Sequence, residues 1–203
     1  MKIILFGDSI TEAGTGPTGY ITLLKSMLQK EGIDDYKLIN EGVGGNKIYD
    51  LYLRMEEDVI SKLPDIVVIF IGVNDVWHKK THGTGTEAGQ FEKLYRTIIR
   101  RLQVTNAKII LCTPAVIGEK RNNMNEQDDD LNQYAAIIRN IGSDLQLPVC
   151  DLRTLFANYV QEHNINDVQS GILTTDGVHL NELGNRLVAE AIWEQMKADS
   201  IFN

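Results

Sequence analysis

The run Ile66-Val67-Val68-Ile69-Phe70-Ile71 constrains this chain more than any other stretch. Such a continuous apolar, largely β-branched segment has no polar side to turn to water, so its strand suits a sheet covered on both faces. Sheets of that kind are parallel, and helical crossovers are the natural link between parallel strands. The rest of the sequence keeps the same rhythm. Runs of strand character fall at Lys2–Phe6, Tyr36–Ile39, Asp65–Ile71, Lys108–Cys112 and Pro148–Cys150. Stripes of helical period lie between and after them: Tyr20, Leu23, Leu24, Met27 and Leu28; Ile48, Leu51, Met55 and Val59; Phe91, Leu94, Ile98 and Leu102; Leu131, Tyr134, Ile138 and Ile141; Leu183, Leu187, Ala191 and Ile192. The pattern predicts an α/β fold, a five-stranded parallel sheet sandwiched by helices. With 203 residues, 43% of them apolar, the chain can bury one such core, in a single domain over residues 1–203.

Charge and hydropathy narrow the function. A net charge of −8, with no Lys/Arg cluster large enough to oppose it locally, repels phosphate backbones, so nucleic acid is not an expected partner. No apolar stretch approaches the roughly 20 residues that cross a bilayer. The opening Met1–Phe6 is interrupted by Gly7-Asp8 too early for a signal-peptide core, and the chain as written reads as cytoplasmic. Cys112 and Cys150 make neither a disulfide framework nor a metal clip and read as buried, reduced packing residues. Asp128-Asp129-Asp130 reads as the solvated start of a helix, and His82-Gly83-Thr84-Gly85-Thr86 as a linker, or as a mobile segment over a site.

In open parallel sheets ligands sit beyond the carboxyl ends of the strands, so chemistry is sought there. The first strand ends in Gly7-Asp8-Ser9, which puts a hydroxyl at the mouth of the sheet; by itself a serine there is also a good N-cap or turn former. A serine becomes a nucleophile when a base takes its proton, commonly a histidine oriented by a carboxylate. Among four histidines, His163 lies in a polar helical stretch, and His78 and His82 lie in a loop with Lys79 and Lys80. His179 follows Asp176 in Asp176-Gly177-Val178-His179, a spacing that lets the carboxylate reach one ring nitrogen while the other faces outward; an Asp-Gly turn before a helix capped by Asn181 is the plainer reading. The Gly-rich loop Asn40–Asn46 after the second strand offers bare backbone N–H groups, and Asn74 after the third offers a carboxamide donor.

The order of these blocks, Gly7-Asp8-Ser9, a glycine within Asn40–Asn46, Gly72-Val73-Asn74-Asp75 and Asp176-Gly177-Val178-His179, resembles the SGNH hydrolases, also called the GDSL esterase/lipase family. Each block is short, but together they span almost the whole chain. The resemblance implies a flavodoxin-like three-layer αβα sandwich. It implies Ser9 as nucleophile, His179 as general base and then acid, Asp176 as the group that orients His179, and an oxyanion site built by the Ser9 and Gly45 amides and the Asn74 side chain. Gly44 is the alternative backbone donor, and Asn46 departs from the Asp that many members carry. No metal or cofactor is implied.

Other chemistries fit less well. Gly14–Gly19 lacks the Gly-Lys-Ser/Thr end of a phosphate loop, and Gly42–Lys47 lacks the last glycine of a dinucleotide fingerprint, which weakens a nucleotide- or phosphate-binding module. There is no Gly-x-Ser-x-Gly elbow and no His-Glu-x-x-His. The expected activity is hydrolysis of small-molecule carboxylic esters through an acyl-enzyme, with short acyl groups on small alcohols or carbohydrates ahead of lysophospholipids or thioesters. Trp77 reads either as a stacking surface for the alcohol part or as a core anchor.

Overall fold

A computed structural model describes residues 1–198, so the last five residues of the domain expected over 1–203 lie outside the described residues. Five parallel strands form the sheet: β1 (Lys2–Gly7), β2 (Lys37–Gly42), β3 (Ile66–Phe70), β4 (Lys108–Cys112) and β5 (Val149–Cys150), in the order β2-β1-β3-β4-β5. Helices α1 (Ser9–Glu12) and α2 (Tyr20–Lys30) follow β1, and α3 (Ile48–Asp58) follows β2. Then come α4 (Val73–Thr81) and α5 (Ala88–Gln103) after β3, α6 (Asp128–Leu145) after β4, and α7 (Leu152–His163) and α8 (Glu182–Ala198) after β5. Helix α2 packs on α8, while α3, α5 and α6 pack side by side. The three-layer αβα sandwich read from the sequence is the observed architecture.

The β3 residues Ile66–Phe70 are all buried, as a strand covered on both faces requires. From β1 the chain steps to β2 on one side and then to β3 on the other, which opens a crevice at the carboxyl end of β1.

Four local expectations change. β2 is longer than Tyr36–Ile39 and runs through Asn40, Glu41 and Gly42, which register with Leu5, Phe6 and Gly7. An edge strand only half-buried tolerates polar residues, so an apolar run understates its length. His78, Lys79 and Lys80 lie in helix α4, not in a loop; nine residues are too few to display a clear apolar stripe, and Gly72, at φ +126°, turns the chain directly from strand to helix.

The fully buried face of α8 is Gly184, Val188, Ala189, Ile192, Trp193 and Met196, with Leu183, Leu187 and Ala191 only half-buried. The helix is rotated because Gly184 presses against the backbone: a Cβ there would lie 2.1 Å from the Leu173 carbonyl oxygen. Lastly, Asp128 does start α6 but is not solvated. Buried at 2% exposure, it pairs with the Arg153 guanidinium of α7 at 2.7 Å.

Cys112 and Cys150 are register partners on β4 and β5, both buried and unbridged. No helix among the described residues is long and apolar enough to cross a membrane.

Candidate active site

At the end of β1, Gly7 has no room for a side chain; a Cβ would lie 2.3 Å from Thr11 Oγ1 and 2.4 Å from the Phe70 carbonyl oxygen. This close approach lets the chain turn at once into α1. Asp8 caps that helix by accepting the Ile10 amide at 3.0 Å, which places Ser9 at its first position.

Ser9 Oγ lies 3.1 Å from His179 Nε2, across 170 residues of sequence. His179 Nδ1 lies 2.7 Å from Asp176 Oδ2, and the other carboxylate oxygen of Asp176 accepts the His179 and Val178 amides at 2.8 and 2.9 Å. Burial pushes the Asp176 carboxyl up, but the imidazole and the two amides outweigh it and hold the group below the usual carboxylate range. Hydroxyl, imidazole and carboxylate therefore form one hydrogen-bonded line, and the side chains of Asp176 and His179 remain 50% and 40% exposed. Such a line can take a proton from an alcohol and return it to a leaving group. Asn181 caps α8 by accepting the Gly184 amide at 3.0 Å, so the turn-and-cap reading of this segment and the acid–base reading describe the same geometry.

The candidate donors stand at the start of α1, in the loop after β2 and at the start of α4. Among the described residues the amides of Ser9, Gly44 and Gly45 have no hydrogen-bond partner. Gly45 holds φ +75°; a Cβ on Gly44 would lie 4.0 Å from Ser9 Cβ and 3.0 Å from Glu12 Oε2. Asn74 is buried in the first turn of α4, and its Nδ2 donates to the Asn46 carbonyl at 3.1 Å, leaving one N–H for a ligand.

Several residues around the site carry no signal that the sequence reading used. Arg54 on α3 donates from Nε to Asn46 Oδ1 at 2.7 Å, from Nη1 to Asp58 at 2.7 Å, and from Nη2 to the Gly7 and Glu41 carbonyls at 2.8 and 3.0 Å. Its guanidinium stands 4.6 Å over the Phe6 ring. The Asn46 carboxamide thus accepts from Arg54 through its oxygen, as an Asp at this position would. Asp75 accepts the Ile48 amide with both oxygens at 3.2 Å, tying α4 to the start of α3. The one available clue to Arg54 was its spacing from Asp58, four residues on along a helix face.

Trp77 is half-buried against the core, with its ring edge-on to His179 at 6.1 Å, so it is an anchor that also faces the site. The segment 82–86 is the linker from α4 into α5. It folds back on α4, with the Thr84 amide donating to the His78 carbonyl, the Thr86 amide to the Asp75 carbonyl, and the Tyr134 hydroxyl to the Thr86 carbonyl. Among the described residues no three His, Cys, Asp or Glu side chains gather as a metal would need.

The sequence model of the GDSL-like Lipase/Acylhydrolase family matches residues 5–187. A solved acetyl xylan esterase, AlAXEase, is 55% identical and superposes with a TM-score of 0.93, over 96% of this chain and 98% of that one. An acetylxylan esterase of Geobacillus stearothermophilus is 28% identical over 96% of this chain and 93% of its own length. A Rattus norvegicus homologue of isoamyl acetate-hydrolyzing esterase 1 is 26% identical over 95% and 80%.

Proposed function

Since the chain belongs to the GDSL-like lipase/acylhydrolase family, we propose that it is a serine esterase that removes acetyl and other short acyl groups from carbohydrates or small alcohols. The observation that carries this reading is the unbroken line from Asp176 through His179 to Ser9. Ser9 Oγ attacks the ester carbonyl carbon while His179 Nε2 takes its proton and Asp176 holds the Nδ1–H. The tetrahedral oxyanion is met by the Ser9 and Gly45 amides and the free N–H of Asn74, donors positioned before charge develops. Collapse breaks the bond to the alkoxy oxygen, which leaves as the alcohol with the proton from His179. Water then attacks the acyl-enzyme, gives its proton to His179, and releases the carboxylic acid as Ser9 regains its hydrogen.

The acetyl preference is supported by the acetyl xylan esterase that shares more than half of its aligned residues with this chain. The solvent-facing Asp176–His179 pair suits an ester presented on a larger, hydrated molecule. Trp77, beside His179, supplies a flat apolar surface against which a sugar ring packs.

The test is Ser9→Ala assayed on a chromogenic acetate ester and on acetylated xylo-oligosaccharides. Turnover is expected to fall by about a thousandfold or more with the thermal midpoint preserved. A folded variant with the wild-type rate refutes the nucleophile. Profiling the wild type from acetate to palmitate esters should give falling kcat/KM with chain length. A preference for the long chains would replace the acetyl reading with a lysophospholipase or thioesterase type of activity.

A further inference from the structure

The side chains of the proposed acid–base pair face solvent, while the residues between them, Gly177 at φ +99° and Val178, are buried. Val178 packs this turn into the core, but an apolar contact does not orient the carboxylate toward the imidazole, so that spacing depends on the polar contacts of the turn. Directly behind it is Glu119, in the loop after β4, at 0% exposure and without a salt bridge among the described residues. Its Oε1 accepts the Leu173 and Thr174 amides at 2.7 and 2.6 Å and the Thr174 hydroxyl at 2.8 Å, and its Oε2 accepts the Ile172 amide at 2.7 Å. One carboxyl group thus collects three successive backbone N–H groups more than 50 residues away in sequence.

The bonding continues into the turn. Thr174 Oγ1, whose hydrogen points to Glu119, accepts the Gly177 amide at 2.9 Å, and the Gly118 amide donates to the Gly177 carbonyl at 2.7 Å. Thr174 also bridges to Leu180, and the Thr175 amide donates to the His179 carbonyl at 2.8 Å. The loop that holds Glu119 is fixed in turn: its amide donates to the Gln169 carbonyl at 3.0 Å, and its carbonyl accepts Asn164 Nδ2. An apolar residue in place of Glu119 would leave those three amides buried and unpaired.

We propose that Glu119 is a positioning residue for the reaction, acting through Thr174 and Gly177 to hold Asp176 and His179 at the spacing that proton transfer from Ser9 requires. The proposal rests on the esterase reading above and deepens it. Groups that support a reacting pair control rate steeply, because small errors in their placement cost large factors.

The test compares wild type with Glu119→Gln, which keeps the shape but replaces one acceptor oxygen with a donor that faces an N–H. Turnover number on an acetate ester is expected to fall by about tenfold to a hundredfold while KM changes little. Nitrogen NMR of the His179 ring is expected to show the Nδ1–H tautomer in wild type and a mixture in the variant, since Asp176 no longer selects it. A Glu119→Gln protein that melts earlier yet keeps the wild-type kcat and tautomer uses Glu119 for stability alone, and overturns the proposal.

If that variant does not fold, Thr174→Val, which cuts the link between Glu119 and Gly177, is read the same way, and Thr174→Ser is expected to restore both signals. Retention of both signals in Thr174→Val overturns the proposal. The NMR signal needs no turnover, so a wild type that holds the tautomer but hydrolyses no ester separates failure of the esterase reading from failure of this one.

Discussion

Ser9 and Asp8 are neighbours with opposite demands. Ser9 faces the crevice, while Asp8 points under it, 2% exposed. Burial, opposed in part by the Ile10 amide and reinforced by the nearby Asp75, pushes the Asp8 carboxyl up to about 7. Asp75, pushed up mainly by burial, reaches about 6. Between the ordinary carboxylate range and these values the unfolded chain has released protons that the folded chain retains, so stability falls as pH rises through that window. The thermal midpoint should therefore drop between pH 4 and 7. Asp8→Asn, whose amide oxygen still accepts the Ile10 N–H, should flatten part of that slope and raise stability at pH 8 by on the order of a few kcal/mol. Calorimetry across pH checks this; parallel curves for the two proteins would remove the buried charge from the account. Asp176, held low by His179 and two amides, works in the opposite sense and contributes stability that is lost as the medium turns acidic.

Among the elements, α3 and α4 bring the proposed oxyanion donors together. Arg54 on α3 ties the end of β1, the end of β2 and the Asn46 loop with one guanidinium, and Asn74 at the start of α4 donates to that loop in turn. Arg54→Met should destabilise the fold by about 2 kcal/mol, since the Gly7 and Glu41 carbonyls lose a charged donor. It should also lower kcat on an acetate ester by about tenfold, because the loop that carries Gly45 is no longer clamped. Arg54→Lys should not restore both, as one ammonium does not reproduce the planar fork. Urea denaturation and steady-state kinetics on the same preparations decide it, and an unchanged kcat would confine Arg54 to stability. Helix α4 also shows where periodicity fails. With Val73 and Val76 buried and Trp77 half-buried, nine residues offer too few turns to separate a helix from a polar loop.

Across the whole fold, Arg153 ties α7 to α6 and to the loop after β4. It bonds Asp128, Asn132 and the Ala115 carbonyl from a position 4% exposed. Arg153→Met leaves Asp128 buried without its cation and should cost about 3–5 kcal/mol in urea denaturation; a loss below 1 kcal/mol would show that Asp128 finds another partner.

The layered α/β plan and the places where chemistry could stand are legible in the order of the residues. Uninterrupted runs such as Ile66–Ile71 and stripes such as Phe91, Ile98 and Leu102 record burial directly, and the segments after β1 and β3 and before α8 carry polar side chains, with backbone donors on the glycines after β2. Tertiary structure alone decided which groups touch. Ser9 meets His179 across 170 residues, Glu119 meets Leu173, and Arg153 meets Asp128, and each contact depends on how two distant segments pack. A polar side chain in the sequence states what it can bond; only the packed fold supplies the partner, and with it the choice between a solvated charge and a buried one.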